Sequence, residues 1–171
     1  MDLETERLKL KLITVEDAEF LFELMTTEKW HQYIGDRGVH TLEDAENYIR
    51  TKMDPDIKNK GFINHVMIEK STGEKVGTCS LHDREGVPGM DVGYALLPGF
   101  EGKGYATEGA GKMAKLAFDK YNQDKVYAIT ITENVGSIRV LENVGFEYVK
   151  DIQFPGGSDY IRLYSFSNPN S

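Results

Sequence analysis

Cysteine is almost absent from this 171-residue chain, which contains Cys79 alone. A single cysteine excludes a disulfide within the chain and disfavours a metal site built from thiolates. The four histidines, His31, His40, His65 and His82, do not form the HExxH or HxxxH spacing of zinc enzymes. We therefore predict that the protein binds no metal.

Long hydrophobic runs and an excess of positive charge are also missing. No apolar stretch approaches the ~18 residues of a membrane-spanning helix, and the N-terminal MDLETERLKLKL lacks the basic-then-apolar pattern of a signal peptide. The formal net charge is −8, whereas nucleic-acid binding normally requires a basic face. These absences predict a cytoplasmic protein that binds neither nucleic acid nor a membrane. The acidity suits a cationic partner, an amine substrate or solubility alone.

The length and the ordinary apolar content, 40% of residues, predict one globular domain over residues 1–171. Alternating and helix-spaced apolar residues predict a mixed α/β fold. The expected strands cover residues 7–14, 62–69, 76–83, 90–98, 125–132, 146–152 and 160–166. The expected helices cover residues 15–25, 42–53 and 106–120, and a short helix within residues 133–146 is expected to end at Gly145.

Residues 27–40, between the first two predicted helices, are predicted to be a loop. This loop holds Trp30, His31 and Tyr33. Aromatic side chains in such a loop either line a substrate site or close the core beneath it.

Five glycines fall within residues 99–112, GFEGKGYATEGAGK, between a predicted strand and a predicted helix. Free backbone amides at a helix N-terminus attract phosphate, and glycine lets the backbone approach it closely. Lys103 adds a positive charge. Gly102 and Gly104 therefore predict a phosphate or pyrophosphate site, with a tight structural turn as the alternative.

Two common phosphate motifs do not fit this stretch. A P-loop requires Ser or Thr where Gly104 stands. The dinucleotide fingerprint GxGxxG has Thr107 at its third glycine and does not open a βαβ unit here. Gly109 and Gly111 lie further into the helix, where we expect them to allow close packing.

The glycine-rich stretch resembles motif A of the GNAT N-acetyltransferases, (Q/R)xxGx(G/A), which follows a strand. Here the motif runs from Gly99 through Gly102 to Gly104, with Gly99 in place of Gln or Arg. The run NVGSIRVLENVGF, from Asn134 to Phe146, resembles the family pattern NxxSxxVLExxGF. ETERLKLKL and VGYALLPGFEGKGYATEGA also resemble the branch of ribosomal-protein N-terminal acetyltransferases, RimJ/RimL-like.

This resemblance implies the GNAT fold, an α/β fold with a twisted, mixed but mostly antiparallel sheet. Its fourth and fifth strands splay apart, and helices cover both faces. The resemblance also implies that acetyl-coenzyme A (acetyl-CoA) is the cosubstrate and that it binds in the V-shaped opening between these two strands, called the V below. The implied cofactor-binding residues are Ala95, Leu96, Leu97, Gly102, Lys103, Gly104, Tyr105, Ala106, Thr107 and Asn134.

The activity implied by the resemblance is direct acetyl transfer to a primary amine within a ternary complex. The acceptor would be a basic peptide, a protein N-terminus or a small amine such as a polyamine or an amino sugar, and the protein a monomer or homodimer. Many members use a tyrosine as general acid where this chain has Leu141. The alternative function is therefore a non-catalytic acyl-CoA-binding or regulatory domain.

Catalytic candidates follow from the same resemblance. Ser137 stands at the family's NxxS position and is expected to act as the general acid, with helix capping as the alternative role. Asp91 is the expected general base, and the alternative is a solvent-facing strand carboxylate. Glu108, His82 or a water relay are further possibilities for the base. Cys79 is not expected to be a nucleophile, since no motif places a base beside it.

Overall fold

The computed structural model describes residues 3–60 and 64–171. The strands are β1 (Leu3–Glu4), β2 (Leu8–Leu12), β3 (Asn64–Glu69), β4 (Lys75–His82), β5 (Asp91–Leu96), β6 (Lys125–Thr130), β7 (Glu147–Ile152) and β8 (Ile161–Ser167). The helices are α1 (Ala18–Met25), α2 (Glu28–Tyr33), α3 (Leu42–Tyr48), α4 (Asp54–Lys60), α5 (Tyr105–Asp119) and α6 (Val135–Val144). A 3₁₀ turn, Val15–Asp17, precedes α1, and a π-helical turn, Ile49–Met53, joins α3 to α4.

The eight strands form one sheet in the order β1-β2-β3-β4-β5-β6-β8-β7. Every neighbouring pair is antiparallel except β5 and β6, which run parallel. β5 and β6 are paired at one position, Asp91 with Tyr127, whereas β5 and β4 are paired along the whole of β5. The two parallel strands therefore diverge after Asp91 and open the V, which confirms the predicted splay.

Helices pack on both faces of the sheet, as predicted. Successive side chains of a strand point to opposite faces, and Val66 and Met67 on β3 illustrate this. Met67 packs in a core with residues of α5 and α6, including Met113 and Leu141. Val66 packs in a second core with residues of α1 and α3, such as Leu21. The V thus lies in a sheet whose two faces are both covered.

The two glycines inside α5 differ in their surroundings. A Cβ added at Gly109 would lie 2.5 Å from Met67 Sδ and 3.4 Å from Cys79 Cβ. Gly109 therefore brings α5 close to the sheet, which confirms its predicted role. A Cβ added at Gly111 would meet nothing within 4 Å, so the packing role predicted for Gly111 is wrong.

Three elements were not predicted from the sequence. The predicted loop 27–40 contains α2, whose first turn is capped by Thr27 Oγ1, which accepts a hydrogen bond from Trp30 N at 3.2 Å. The short strand β1 and the helix α4 are the other two. The start of the predicted strand 62–69 lies outside the described residues. In the chain as described, no helix has both the length and the apolar content needed to cross a membrane.

Candidate active site

A cavity of about 1250 Å³ lies in the V between β5 and β6. Its walls come from β5, β6, the first turns of α5 and α6, and the helices α2 to α4. Because a strand rises about 3.3 Å per residue, Asp91 and Leu96 lie roughly 17 Å apart along β5. The cavity is therefore elongated, and its two ends can hold different groups.

We name three regions of this cavity. The cradle is the glycine turn and helix start at Gly102, Gly104, Ala106 and Thr107. The middle is the part lined by Tyr94 and Ser137. The far end is the part lined by His82, Arg84 and Asp91, where β4 ends and β5 begins.

The left-handed conformation of the backbone explains why glycines occupy the cradle and the turn before it. Gly99, Gly102 and Gly104 have φ of +94°, +72° and +86°, a region that residues with a Cβ rarely adopt. Gly104 is the N-cap of α5, and no side chain of residues 3–60 and 64–171 caps this helix start. The first amides of α5 have no acceptor within the helix and carry its partial positive charge. These bare amides fit a pyrophosphate.

The cavity brings together seven of the ten residues expected to bind the cofactor: Ala95, Leu96, Gly102, Gly104, Ala106, Thr107 and Asn134. Leu97 is instead buried in the core beside α1 and α3. The Tyr105 ring is buried, and the guanidinium carbon of Arg7 lies 4.6 Å from the centroid of this ring. Lys103 is exposed, and its Nζ lies 5.5 Å from the centroid of the Phe100 ring. Leu97, Lys103 and Tyr105 do not line the cavity.

Asn134 and Ser137 lie together at the start of α6. Asn134 Oδ1 accepts a hydrogen bond from Ser137 N at 3.2 Å and so caps the helix. The capping role considered for Ser137 therefore belongs to the side chain of Asn134. The Ser137 hydroxyl is left available to the cavity that it lines.

Tyr94 connects β5 to α6 across the V, a contact that the sequence analysis missed. Its hydroxyl lies 2.7 Å from Ser137 Oγ and donates to Ser137 O at 3.0 Å. In the contact between the two hydroxyls either oxygen can be the donor, so the Ser137 hydroxyl can donate to Tyr94 or accept from it. Burial raises the pKa of Tyr94 and keeps it protonated. Leu141, at the family's usual tyrosine position, is 1% exposed in the core.

Asp91 is buried at the far end of the cavity and is 1% exposed. Its Oδ1 accepts a hydrogen bond from Arg84 Nε at 3.0 Å, and its Oδ2 has no partner among the described residues. Burial raises the pKa of Asp91 to about 6. The alternative of a solvent-facing carboxylate is wrong, because the start of β5 is enclosed between β4 and β6.

The other candidate bases and the cysteine occupy different surroundings. His82 Nε2 lies 2.8 Å from Ser80 Oγ, and burial, together with nearby positive charge, lowers the pKa of His82 to about 3. Glu108 is held against the turn between β1 and β2, where it accepts from Arg7 N at 2.7 Å and does not line the cavity. Cys79 is buried, and burial raises the pKa of its thiol. In residues 3–60 and 64–171, no three His, Cys, Asp or Glu side chains form a group that could hold a metal ion.

Two aromatic side chains of the predicted loop line the cavity. Trp30 and Tyr33 do so, whereas His31 is exposed and does not. Trp30 also packs against the core beside α1 and α3, which confirms the core-closing role considered for it. Its role in a substrate site stays a prediction. Its Nε1 is buried without an acceptor in the described part of the chain.

Comparisons with known proteins agree with this architecture. The family described as "Acetyltransferase (GNAT) domain" matches residues 7–147, and the chain belongs to this family. The uncharacterized N-acetyltransferase YoaA of Bacillus subtilis (strain 168) is 27% identical over 172 aligned residues, covering 98% of this chain and 97% of YoaA.

Two solved structures share the fold over nearly their whole length. A GNAT-family acetyltransferase from Bacillus anthracis has a TM-score of 0.79 and 26% identity, covering 98% of both chains. RimL, a ribosomal α-N-protein acetyltransferase in complex with coenzyme A, has a TM-score of 0.82 at 14% identity and covers 100% of both chains. The protein is thus an N-acetyltransferase of the GNAT fold, in a family that uses acetyl-CoA.

Proposed function

We propose that the protein transfers the acetyl group of acetyl-CoA directly to a primary amine bound at the far end of the cavity. One observation carries this proposal. A single cavity joins a glycine turn with bare amides to a hydrogen-bonded Tyr94–Ser137 pair and to the buried carboxylate of Asp91. The three regions match the needs of such a transfer: a site for the pyrophosphate, a proton donor and a proton acceptor.

The cradle and the edge of β5 would hold the cosubstrate. The amides that begin α5 bind the pyrophosphate, and the left-handed glycines turn the backbone toward it. Beyond Asp91, β5 is no longer paired with β6. Leu97 N donates to Val76 O of β4, so the alternation of an antiparallel pair turns the backbone groups of Ala95 toward β4 and those of Leu96 toward the V. Leu96 therefore has backbone groups free to bind the pantetheine arm, with Asn134 on the opposite wall. When bound, acetyl-CoA supplies the activated acetyl thioester.

Ser137 is the proposed general acid, and Tyr94 is the residue that positions it. The Ser137 hydroxyl does not cap the helix and lines the middle of the cavity, so it can give its proton to the leaving sulfur. Water in the cavity then returns a proton to Ser137, while Asp91 releases to water the proton that it took from the amine. Tyr94 holds both the hydroxyl and the carbonyl of Ser137, which fixes the side chain within the V. Donors held in place before the reaction are worth more than mobile ones.

Asp91 is the proposed general base. With its pKa raised to about 6, Asp91 is ionised at neutral pH and still more basic than an ordinary carboxylate. A base tuned toward the working pH takes a proton most effectively. Oδ2 is buried and has no partner among the described residues, so the proton of the attacking amine would reach it through a water that enters beside Asp91.

We also propose that the chain belongs to the RimJ/RimL-like branch. The DVGY and GKGYATE runs support this assignment, and they make a peptide N-terminus a candidate acceptor beside small amines. The likeness to RimL itself is one of fold. The acceptor is therefore best sought with a panel that includes both chemical classes.

Thiol release from acetyl-CoA tests this proposal. We expect saturable release in the presence of an acceptor amine, with an equal amount of N-acetyl product detected by mass spectrometry. If the protein binds coenzyme A but no amine or peptide increases thiol release, the proposal is wrong. An acyl-CoA-binding domain would then be the better description.

A further inference from the structure

A serine and a histidine of β4 form a hydrogen-bonded pair at the far end of the cavity. His82 Nε2 lies 2.8 Å from Ser80 Oγ, and both residues line the cavity. The two residues are two positions apart on β4, so their side chains point to the same face of the sheet. Ser80 is 4% exposed and His82 is half-buried, so the pair lies within the protein rather than on its outer surface.

Gly93 leaves room for this pair on the neighbouring strand. Gly93 is the partner of Ser80 across β4 and β5, and a Cβ added at Gly93 would lie 2.7 Å from Ser80 Oγ. The same Cβ would lie 3.3 Å from His82 Nε2 and 3.5 Å from His82 Cδ2. The two side chains therefore lie over Gly93, in space that a side chain on β5 would need.

The register of the two strands also places His82 beside the proposed base. His82 is the Cα partner of Asp91, and residues directly opposite each other in an antiparallel pair share a face of the sheet. The Cβ atoms of such a pair are about 4.5–5.5 Å apart. His82 and Asp91 therefore border the same part of the cavity.

The second ring nitrogen of His82 is open to the cavity. Nε2 and Cδ2 are the ring atoms nearest Gly93, so Nδ1 lies on the opposite edge of the ring. Nδ1 has no hydrogen-bond partner in the described part of the chain, and protein atoms do not enclose it. Because His82 lines the cavity, Nδ1 is available to a ligand there.

The imidazole of His82 is neutral, so one of its nitrogens keeps a lone pair. Burial lowers the pKa of His82 to about 3, and nearby positive charge contributes to this shift. A neutral imidazole has one N–H donor and one acceptor nitrogen. When Nε2–H donates to Ser80 Oγ, the acceptor is Nδ1, which then suits the N–H of an amine.

The chemistry of an attacking amine favours a neutral partner over a carboxylate. A carboxylate in direct contact stabilises the ammonium form, which has no lone pair for attack. A neutral imidazole accepts a hydrogen bond from the amine without adding a negative charge beside it. An amine held by one N–H can direct its lone pair at the thioester carbonyl, and such orientation lowers the barrier.

We infer that His82 binds the acceptor amine through Nδ1, and that Ser80 positions the ring by accepting a hydrogen bond from Nε2–H. This inference rests on the proposed function and adds the residue that orients the nucleophile. His82 contacts the amine, and the water beside Asp91 takes its proton. The group recognised here is the N–H of the amine, whatever the rest of the acceptor carries.

Two analogues that link both substrates test this inference without turnover. Each analogue carries, on the sulfur of coenzyme A, a methylene–carbonyl group that ends in a propyl amide or a propyl ester. The two differ only in an N–H against an oxygen at the position of the attacking nitrogen. We expect calorimetric titration to show the amide binding at least about tenfold more tightly, or about 1.4 kcal/mol. Equal affinities would overturn the inference.

His82→Leu and His82→Asn assign this preference to Nδ1. Leucine has no acceptor, whereas asparagine carries Oδ1 at the same position along the side chain as Nδ1 of histidine. His82→Leu should lose the preference for the amide, and His82→Asn should keep part of it. The control is His31→Leu, because His31 is exposed and does not line the cavity. An equal loss in both His82 variants, or none in His82→Leu, would contradict the assignment.

Nitrogen NMR of the wild-type protein labelled at histidine tests the tautomer and needs no variant that folds differently. With the amide analogue bound, the chemical shifts of the two ring nitrogens should place the proton of His82 on Nε2. A proton on Nδ1 would overturn the inference.

The binding measurements also separate this inference from the proposed function. A preference for the amide analogue in a protein that acetylates no amine would contradict the proposed function and support the role of His82. Equal affinities for the two analogues in a protein that does acetylate amines would contradict the role of His82 alone.

Discussion

The hydrogen bonds of Ser137 decide what its side chain is free to do. The backbone N–H of Ser137 is bound by Asn134, so the hydroxyl is not needed to cap α6. The hydroxyl instead meets Tyr94, which also binds the carbonyl of the same residue. At the scale of single residues, Tyr94 and Ser137 should therefore behave as one functional unit.

A double-mutant cycle tests whether Tyr94 and Ser137 act together. Ser137→Ala should lower kcat on the order of 10²-fold, the usual contribution of a general acid. Tyr94→Phe should lower kcat less, because the acid remains but its position is no longer fixed. The double variant should be no slower than Ser137→Ala, since residues that act as a unit are not additive. The KM for acetyl-CoA should change little in all three variants. If the kcat losses of the two single variants multiply in the double variant, Tyr94 and Ser137 do not act as a unit.

The titration of Asp91 sets the pH dependence of the proposed reaction. Burial in the folded protein raises the pKa of Asp91 from the usual 3.8 to about 6. The ionised base therefore predominates above about 6 and disappears as the pH falls through that value. At saturating substrates, kcat should therefore fall on the acid side of about 6.

Asp91→Asn should lower kcat at neutral pH and remove this acid limb. Asp119→Asn is the control, because Asp119 is exposed at the end of α5 and pairs with Lys115. The pH–rate profile of each variant is the measurement. An acid limb that persists unchanged in Asp91→Asn would assign the base to another group.

At the scale of elements, the contact between α5 and the sheet depends on one glycine. Ala is favoured over Gly within a helix by about 1 kcal/mol, so the two glycines of α5 form a matched pair. Gly109→Ala would push a methyl group against Met67 and should destabilise the protein by about 1–3 kcal/mol net.

Gly111→Ala faces open space and should stabilise the protein by up to about 1 kcal/mol. Urea unfolding of the two variants is the measurement. A destabilised Gly111→Ala, or an unaffected Gly109→Ala, would contradict the packing described for this helix.

The elements that the sequence predicts well are those with a strong local pattern. β4, β5, β6, α5 and α6 have alternating or helix-spaced apolar residues and clear turns. α2 and α4 contain no buried residue, so no apolar stripe marks them, and they were missed. The sequence likewise places Ser137 in the site but not its partner, because Tyr94 lies 43 residues away and the two meet only when the V forms. The burial of Asp91 also depends on residues far away in the sequence, because the strands β4 and β6 lie on either side of it.

At the scale of the whole molecule, the net charge does not describe the charge at the cradle. The chain carries −8, yet the cradle presents the bare amides at the start of α5. We expect the pyrophosphate of acetyl-CoA to bind these amides. Charge that acts at short range in a cavity therefore decides where this ligand binds, while the net charge of the chain does not.

The central claim is that this cavity binds acetyl-CoA at the glycine turn and delivers its acetyl group to an amine. The most direct test is the initial rate of thiol release against acetyl-CoA concentration, for the wild type, Gly104→Glu and Gly73→Glu. The φ angle is +86° at Gly104 and +75° at Gly73, so a side chain introduces similar backbone strain at both positions. Gly73 is the control, because it lies in the hairpin between β3 and β4 and does not line the cavity.

A carboxylate in the cradle repels the pyrophosphate. Gly104→Glu should therefore raise the KM for acetyl-CoA at least about tenfold, or 1.4 kcal/mol, while Gly73→Glu keeps the wild-type value. Equal KM values in the two variants would contradict the account.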